Sequence, residues 1–465
     1  MGASALTVGS RTLGALAVLI GLGMGASPAL AGWSAPVAVS RSAEGFPYAA
    51  LANDARGDSA VAWASPSNEA RPRAEVNVAF AGPGGRLVER ALWRKNHALV
   101  GGVAVALDSR GELTVAWIDA ARGRTGETLY PHTIRAAYRS PSGTWSPPQV
   151  VGYSGPFLDA HLRLAVAPNR EVLLTWVAHT KSAPGVAAAW RKAGHRFGSA
   201  SVVSRAKSAM MGDPTPLFDS GGAAHVYGTV GCNRIHTCAT MASTAPRSHR
   251  FGAPLLIAPA PAEYPVVSFS APGRALIAWE AADYQDLEPF GSTPYARVMS
   301  GGSLTAPVAL QSRSATVPWP SDAVAANGGG GTVSWLEAQP YPTPSRTMLT
   351  VGDPGGHFST PSISPLGLIP ALRDGAGNVL LTPARLNPFA PLGEGPIGPA
   401  GTAPSPVAMQ PAGGGAVQPS PVRVPPTTMK PPVSIVAIAS TQPVGAGAAV
   451  AWVTGAKLDI SSWRP

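Results

Sequence analysis

One unit of sequence recurs eight times along this chain of 465 residues, about every 55 residues. Each copy reads as a short apolar run, a Gly-containing turn and a second apolar run. In six copies the second run ends in Trp, at Trp63, Trp117, Trp176, Trp279, Trp335 and Trp452; Gly228 and Pro383 stand there in the other two. Further on, a residue opening another run recurs at Trp33, Leu87, Trp145, Phe197, Phe251, Leu304, Phe358 and Ala416, with spacings from 52 (145 to 197) to 58 (87 to 145). A chain of this length would otherwise suggest two or three domains. A long period of strand-like content means instead one structural unit stacked repeatedly, its apolar faces covered by its neighbours.

The second copy shows the plan. Val103–Asp108 and Leu113–Trp117 are apolar runs of strand length flanking the turn Ser109-Arg110-Gly111. Asp bonds the backbone just ahead of it and Gly accepts positive φ, so both suit that turn. Ile134–Arg139 reads as a third strand, and Trp145–Val151 follows the turn at Ser142-Gly143-Thr144 as a fourth. Six of the eight fourth strands carry Pro three residues after their opening residue: Pro36, Pro148, Pro254, Pro307, Pro361 and Pro419. Proline has no amide to donate, which places these strands at a sheet edge.

The expected fold is therefore all-β, a β-propeller of eight four-stranded blades, or seven if the weak copy at 369–381 is not a true repeat. Gly32–Ser40 reads as a fourth strand without its first three, and Lys457–Trp463 as a third strand without its fourth. Each end supplies what the other lacks, so the N-terminal strand is expected to complete the last blade and close the ring. The segment from about 383 to 406 is rich in Pro and Gly and reads as a long loop.

Residues 1–31 read as a signal peptide: Arg11, an apolar stretch from Leu13 to Met24, then the small-x-small site Ala29-Leu30-Ala31. The apolar stretch is short for a membrane span. Cleavage would leave 32–465 as a single secreted propeller, expected to be a monomer and off the membrane; an uncleaved anchor is the alternative. Charged residues make up only 13% of the chain while Gly and Pro total 53 + 49 = 102, which favours many short strands over long helices. The net charge of +10 is dispersed, without a basic block interleaved with aromatics. Nucleic acid is thus not an expected partner, and attraction to an anionic cell envelope is the natural consequence. Cys232 and Cys238, the only cysteines, are expected to form a disulfide in an exported chain. With His236 they fall short of a four-ligand zinc set, and no metal or cofactor is expected.

The turn Ser140-Pro141-Ser142-Gly143-Thr144-Trp145 resembles the Asp-box that joins third and fourth strands in sialidase-type propellers, with its Asp missing; Lys192–Phe197 retains only the Gly and the aromatic. In that family the box is structural, so the likeness implies a propeller and not an activity. The chain as a whole resembles exported propeller-like proteins of actinobacteria, a likeness tied to no known activity.

Polar residues just beyond the Trp column are expected to gather on one face, where second-to-third-strand loops and blade connections meet. The candidate ligand-binding set is Asp119, Arg122, His179, Glu280, Asp283, Tyr284, Glu337 and Tyr341, with Arg124 beside it. Acids, His, Arg and Tyr on a concave face suit a polar ligand such as a glycan or envelope polymer. Two carboxylates could instead serve glycoside hydrolysis or lyase chemistry, as the sialidase likeness would imply. No residue can be given a catalytic role by motif, since HExxH, GxSxG and a Cys nucleophile are all missing. The tripeptide Arg56-Gly57-Asp58 and the run Gly328–Gly331 fall in first turns, where the repeat already accounts for them.

Overall fold

The computed structural model describes residues 32–464, except 34–36, 41–48, 55, 66–72, 83–86, 123–127, 155–160, 180–183, 204–213, 231–238, 246–248, 272, 286–287, 312–317, 326–329, 338–345, 364–367, 374–378, 384–407, 411–417, 420–432, 441–447 and 455–456. The signal-peptide expectation, both cysteines and nearly all of the Pro/Gly-rich segment lie outside the described residues.

Among the described residues the chain is all-β and sorts into eight antiparallel sheets, most of four strands, an arrangement consistent with a β-propeller. In chain order, sheet 1 comprises Ala49–Asn53, Ser59–Ser65, Arg73–Ala81 and Val88–Asn96. Sheet 2 comprises Ala98–Leu107, Leu113–Arg122, Thr128–Arg139 and Gln149–Ser154. Sheet 3 holds Arg163–Val166, Val172–His179, Pro184–Arg191 and Ser201–Val202; sheet 4 holds Thr215–Phe218, Ala224–Val230, Ala239–Ala245 and Leu255–Ala258. Sheet 5 runs Glu263–Ala271, Arg274–Gln285, Glu288–Ser300 and Ser303–Leu304, with Val308–Ala309 also on its third strand. Sheet 6 is Pro318–Ala325, Gly331–Glu337, Arg346–Gly352 and Ser362–Ile363, and sheet 7 is Leu368–Arg373, Val379–Pro383, Ala408–Gln410 and Gln418–Pro419. Sheet 8 joins Val433–Ser440, Ala448–Thr454 and Lys457–Arg464 to two N-terminal strands, Gly32–Trp33 and Val37–Ser40. Trp33 pairs with Trp463 and Val37 with Ile460.

The core is a series of seams between successive sheets. One apolar cluster joins sheets 1 and 2, and others join 2 with 3, 3 with 4, 4 with 5 and 5 with 6. A sheet covered on both faces needs apolar side chains in both directions, which explains why Leu113–Ala120 is buried throughout and shows no polar alternation. Trp117, Trp176, Trp279 and Trp335 are buried in these seams, and Trp63 is fully buried as well. Small residues face them: the seam between sheets 2 and 3 sets Trp176 among Ala104, Ala116, Ala136, Ala187 and Ala189. Gly152 is part of the same fit, because a Cβ there would lie 2.5 Å from the Trp176 ring, and the fourth strand of sheet 2 bulges at that point.

The fourth strands differ in one detail from expectation. Trp145, Phe197 and Phe358 each make a single bridge to the third strand, and regular pairing resumes about four residues later, after Pro148 and Pro361 in two of these copies and after Ala200 in the other. Pro148, Pro254, Pro307 and Pro361 stand immediately before their strands, because a residue without N–H cannot join the ladder.

Aspartate shapes the turns. Asp108 Oδ1 accepts bonds from the amides of Arg110 (2.8 Å) and Glu112 (2.9 Å), and Asp54 does the same for Arg56 (2.9 Å) and Asp58 (3.0 Å). In the Asp-box-like turn of sheet 2, Ser140 Oγ takes the amide of Thr144 at 3.1 Å; in sheet 6, Asp353 Oδ1 takes that of His357 at 2.9 Å. Serine thus replaces the missing aspartate in one copy, and another copy keeps the aspartate.

Candidate functional site

The strand pleat puts Trp117 and Asp119 on the same face of sheet 2, with Arg135 across from Trp117 and Thr133 across from Asp119. Lys95, from the end of the fourth strand of sheet 1, reaches across the seam. Its Nζ donates to both Asp119 oxygens at 3.1 and 3.2 Å, while Arg135 Nε donates to Oδ2 at 2.8 Å. The Asp119 carboxylate is buried, but Lys95 is 41% exposed and Arg135 26%. Below them the Trp93 and Trp117 rings meet at 6.2 Å. Beside Lys95, Glu75 takes Arg94 at 3.0 Å and Arg73 at 3.5 Å. By the strand pleat Arg73, Glu75 and Arg94 lie on the other face of sheet 1, so at the seam itself two cations, Lys95 and Arg135, hold one carboxylate, Asp119, and leave one positive charge in excess.

Asp119 is accordingly an anchor for cations and not an open ligand group. Arg122 closes the same strand, paired in register with Thr128, and His179 ends the second strand of sheet 3 opposite Pro184. Glu280, next to Trp279, is fully buried, and the backbone register sets it between Glu263 and Pro294. Asp283 and Tyr284 follow on the same strand, opposite Gly291 and Pro289. Glu337 is half-buried at the end of its strand opposite Arg346. Tyr341 and Arg124 lie outside the described residues. The structure thus distributes the candidates over sheets 2, 3, 5 and 6. Lys95 and Arg135 are the partners of Asp119 that sequence reasoning missed, one because it lies on the preceding sheet.

The opposite end of the same strands carries a second ion cluster. Glu112, at the close of the first turn, pairs with Arg191 from the third strand of sheet 3, and both are buried. The Gly194 amide donates to Glu112 at 3.0 and 2.9 Å, Arg191 Nη2 donates to Thr114 Oγ1 at 2.6 Å, and Arg170 Nε donates to Asp108 Oδ2 at 2.7 Å. Arg191 also lies over the Tyr138 ring at 4.8 Å.

Arg56-Gly57-Asp58 is closed upon itself. Arg56 pairs with Asp54 at 3.1 Å and also with Asp58, whose carboxyl is buried beside Asp54 and pushed above the usual carboxylate range by that burial and by the neighbouring acid. The tripeptide is a structural turn, as the repeat implied.

No family model and no curated protein sequence matches the chain. Among solved structures it is similar to the polysaccharide lyase Uly1 at 8% identity, with 75% of this chain and 96% of that one covered and a TM-score of 0.46. It is also similar to the β-propeller domain of the Trilobed protease from Pyrococcus furiosus (8% identity, 79% and 93% covered, TM-score 0.44). A third likeness is to a lectin of Aleuria aurantia (11% identity, 70% and 97% covered, TM-score 0.33). Propellers that are lectins and glycan-active enzymes are thus among its structural neighbours, and none transfers a ligand or reaction to this chain.

Proposed function

We propose that this chain is a secreted β-propeller that binds an anionic glycan or envelope polymer, without cofactor and without catalysis. In this reading the eight sheets are blades of one ring, 1–31 is a signal peptide, Cys232 and Cys238 are a disulfide, and the N-terminal strands complete the last blade. The pairing of Gly32–Trp33 and Val37–Ser40 with Lys457–Arg464 supports the closure. The observation that carries the binding function is the pair of water-accessible cations, Lys95 and Arg135, held by one buried carboxylate at the seam of sheets 1 and 2. Charges held in place beside an apolar floor, and still open to water, favour an anionic chain at little ordering cost.

The test is retention of the protein, without 1–31, on immobilised polymers: a polyuronate, a polyol phosphate and a neutral glucan. The expected result is salt-sensitive retention on the anionic polymers, weakened about tenfold by Lys95→Ala or Arg135→Ala. Equal retention on the neutral glucan, or equal binding by both variants, would refute the assignment. Release of shortened products would favour a glycoside hydrolase or lyase, for which the Glu280–Glu263 register in sheet 5 is the first place to substitute.

A further inference from the structure

The outermost strand of sheet 1 departs from the pattern of its counterparts. Val88–Asn96 runs for 9 residues, whereas among the described residues no outermost strand of sheets 2 to 7 exceeds the 6 of Gln149–Ser154. Where most copies carry the proline that guards the edge, this copy has Arg90, inside the strand. The strand pairs on one side with Arg73–Ala81, through a bulge at Leu92, and among the described residues nothing pairs with its other side. None of its residues is buried, and Val88 at its start is 68% exposed. A free side of this length presents a row of backbone N–H and C=O groups to an incoming strand. Its charges are three cations, Arg90, Arg94 and Lys95, against one acid, Glu89. Arg94 and Lys95 stay largely open to water although they pair with Glu75 and Asp119. By the pleat Arg90 and Lys95 lie on the face toward sheet 2 and Arg94 on the other, so cations border the edge on both faces.

We propose that this edge takes up an extended acidic segment of another polypeptide as a further strand of sheet 1. Main-chain hydrogen bonds supply the attachment, and the alternating side chains of the incoming strand supply the selectivity. Acidic side chains on one face of that strand meet Arg90 and Lys95, and those on the other meet Arg94. Opposite charges on neighbouring strands attract and like charges repel. A second copy of this chain would bring its own surplus of cations to the joint, so the edge favours an acidic partner over itself. An apolar side chain of the segment covers Val88. The edges of sheets 3 and 6 give only 2 residues each, too few to hold a strand. The inference stands apart from the polymer-binding reading, because it requires a peptide backbone, although both use Lys95.

Fluorescence anisotropy with three labelled octapeptides tests the edge: one of alternating Val and Glu, one of alternating Val and Lys, and the first again with its central amides N-methylated. The acidic peptide should bind with a Kd below about 1 mM, and its N-methylated form, of equal charge, at least about tenfold more weakly. The basic peptide should not bind. Arg90→Pro gives sheet 1 the guarded edge of its neighbours. It should weaken the acidic peptide at least about tenfold relative to Arg90→Gln, which removes the same charge. Retention on the polyuronate should be the same for both variants. Equal binding of the N-methylated peptide, or equal binding by the two variants, would assign the contact to charge alone and overturn the proposal while leaving the polymer reading intact. Absence of binding by the acidic peptide, or equal binding of the basic one, would overturn it too. A dimer in sedimentation that Arg90→Pro dissolves would give the edge to a second copy instead. If Arg90→Pro does not fold, the N-methylated peptide still decides.

Discussion

The strand Leu113–Arg122 has an ion cluster at each end, and the two are built to opposite effect. At its start, Glu112 is enclosed with Arg191, a guanidinium with no exposed side-chain surface, and the Thr114 hydroxyl and Gly194 amide complete the shell. Near its other end, Asp119 is equally buried, yet the cations that hold it remain open to water. In the closed cluster both ionic partners are covered by protein and joined across the seam, so it fixes how sheets 2 and 3 sit together. In the open cluster the buried carboxylate orients two cations whose outer faces stay available. The same chemistry acts as a joint where both partners are covered and leaves charge open to water where one is not.

Removing charge from the closed cluster should have the largest effect. Glu112→Gln strands a buried guanidinium and should cost about 3–5 kcal/mol in denaturant unfolding, whereas Glu112→Met combined with Arg191→Leu should recover most of that loss. A single substitution as mild as a surface change would mean that water reaches Arg191. At the open cluster, Lys95→Ala should cost less than about 1 kcal/mol while weakening polymer retention, so stability and binding part company there. A stability loss equal to that of Glu112→Gln would erase the distinction.

A third test uses pH, because neither arginine cluster titrates near neutrality. Burial pushes the His225 imidazole below its ordinary value despite its bond to Asp219. The unfolded chain therefore binds the proton more readily, and stability is full above the ordinary imidazole range and declines as pH falls through it. The slope of stability with pH should flatten in His225→Gln, measured by urea midpoints between pH 5 and 8. The smallest effect is expected at Arg56→Ala, which removes exposed ion pairs: a change of less than about 1 kcal/mol and no change in attachment of integrin-bearing cells.

The strands, the Trp column and the turn aspartates were legible because each depends on residues within a few places of one another. Trp117 announces its burial by its place in the largely apolar run Leu113–Ile118, and Asp108 announces its turn by the Gly three residues later. The ion clusters were not legible, since Arg191 meets Glu112 across 79 residues and Lys95 meets Asp119 across 24, both between sheets. Reading them requires knowing which faces of successive sheets touch. One hint was present: acids recur at Asp58, Glu112 and Glu171, and Arg recurs at the third-strand ends Arg139 and Arg191. Of the expected site residues, Asp119 stands in a polar cluster, although as the support for Lys95 and Arg135 and not as the contact.

Sheet 8 takes strands from both ends of the chain, with Trp33 beside Trp463. Its assembly must therefore wait for the last strand to be made, whatever the earlier sheets have already done. A ribosome still holding the C-terminal residues would keep that sheet open, and the zipping of two segments so distant in the chain, with its large loop-closure cost, would be a late step in its formation.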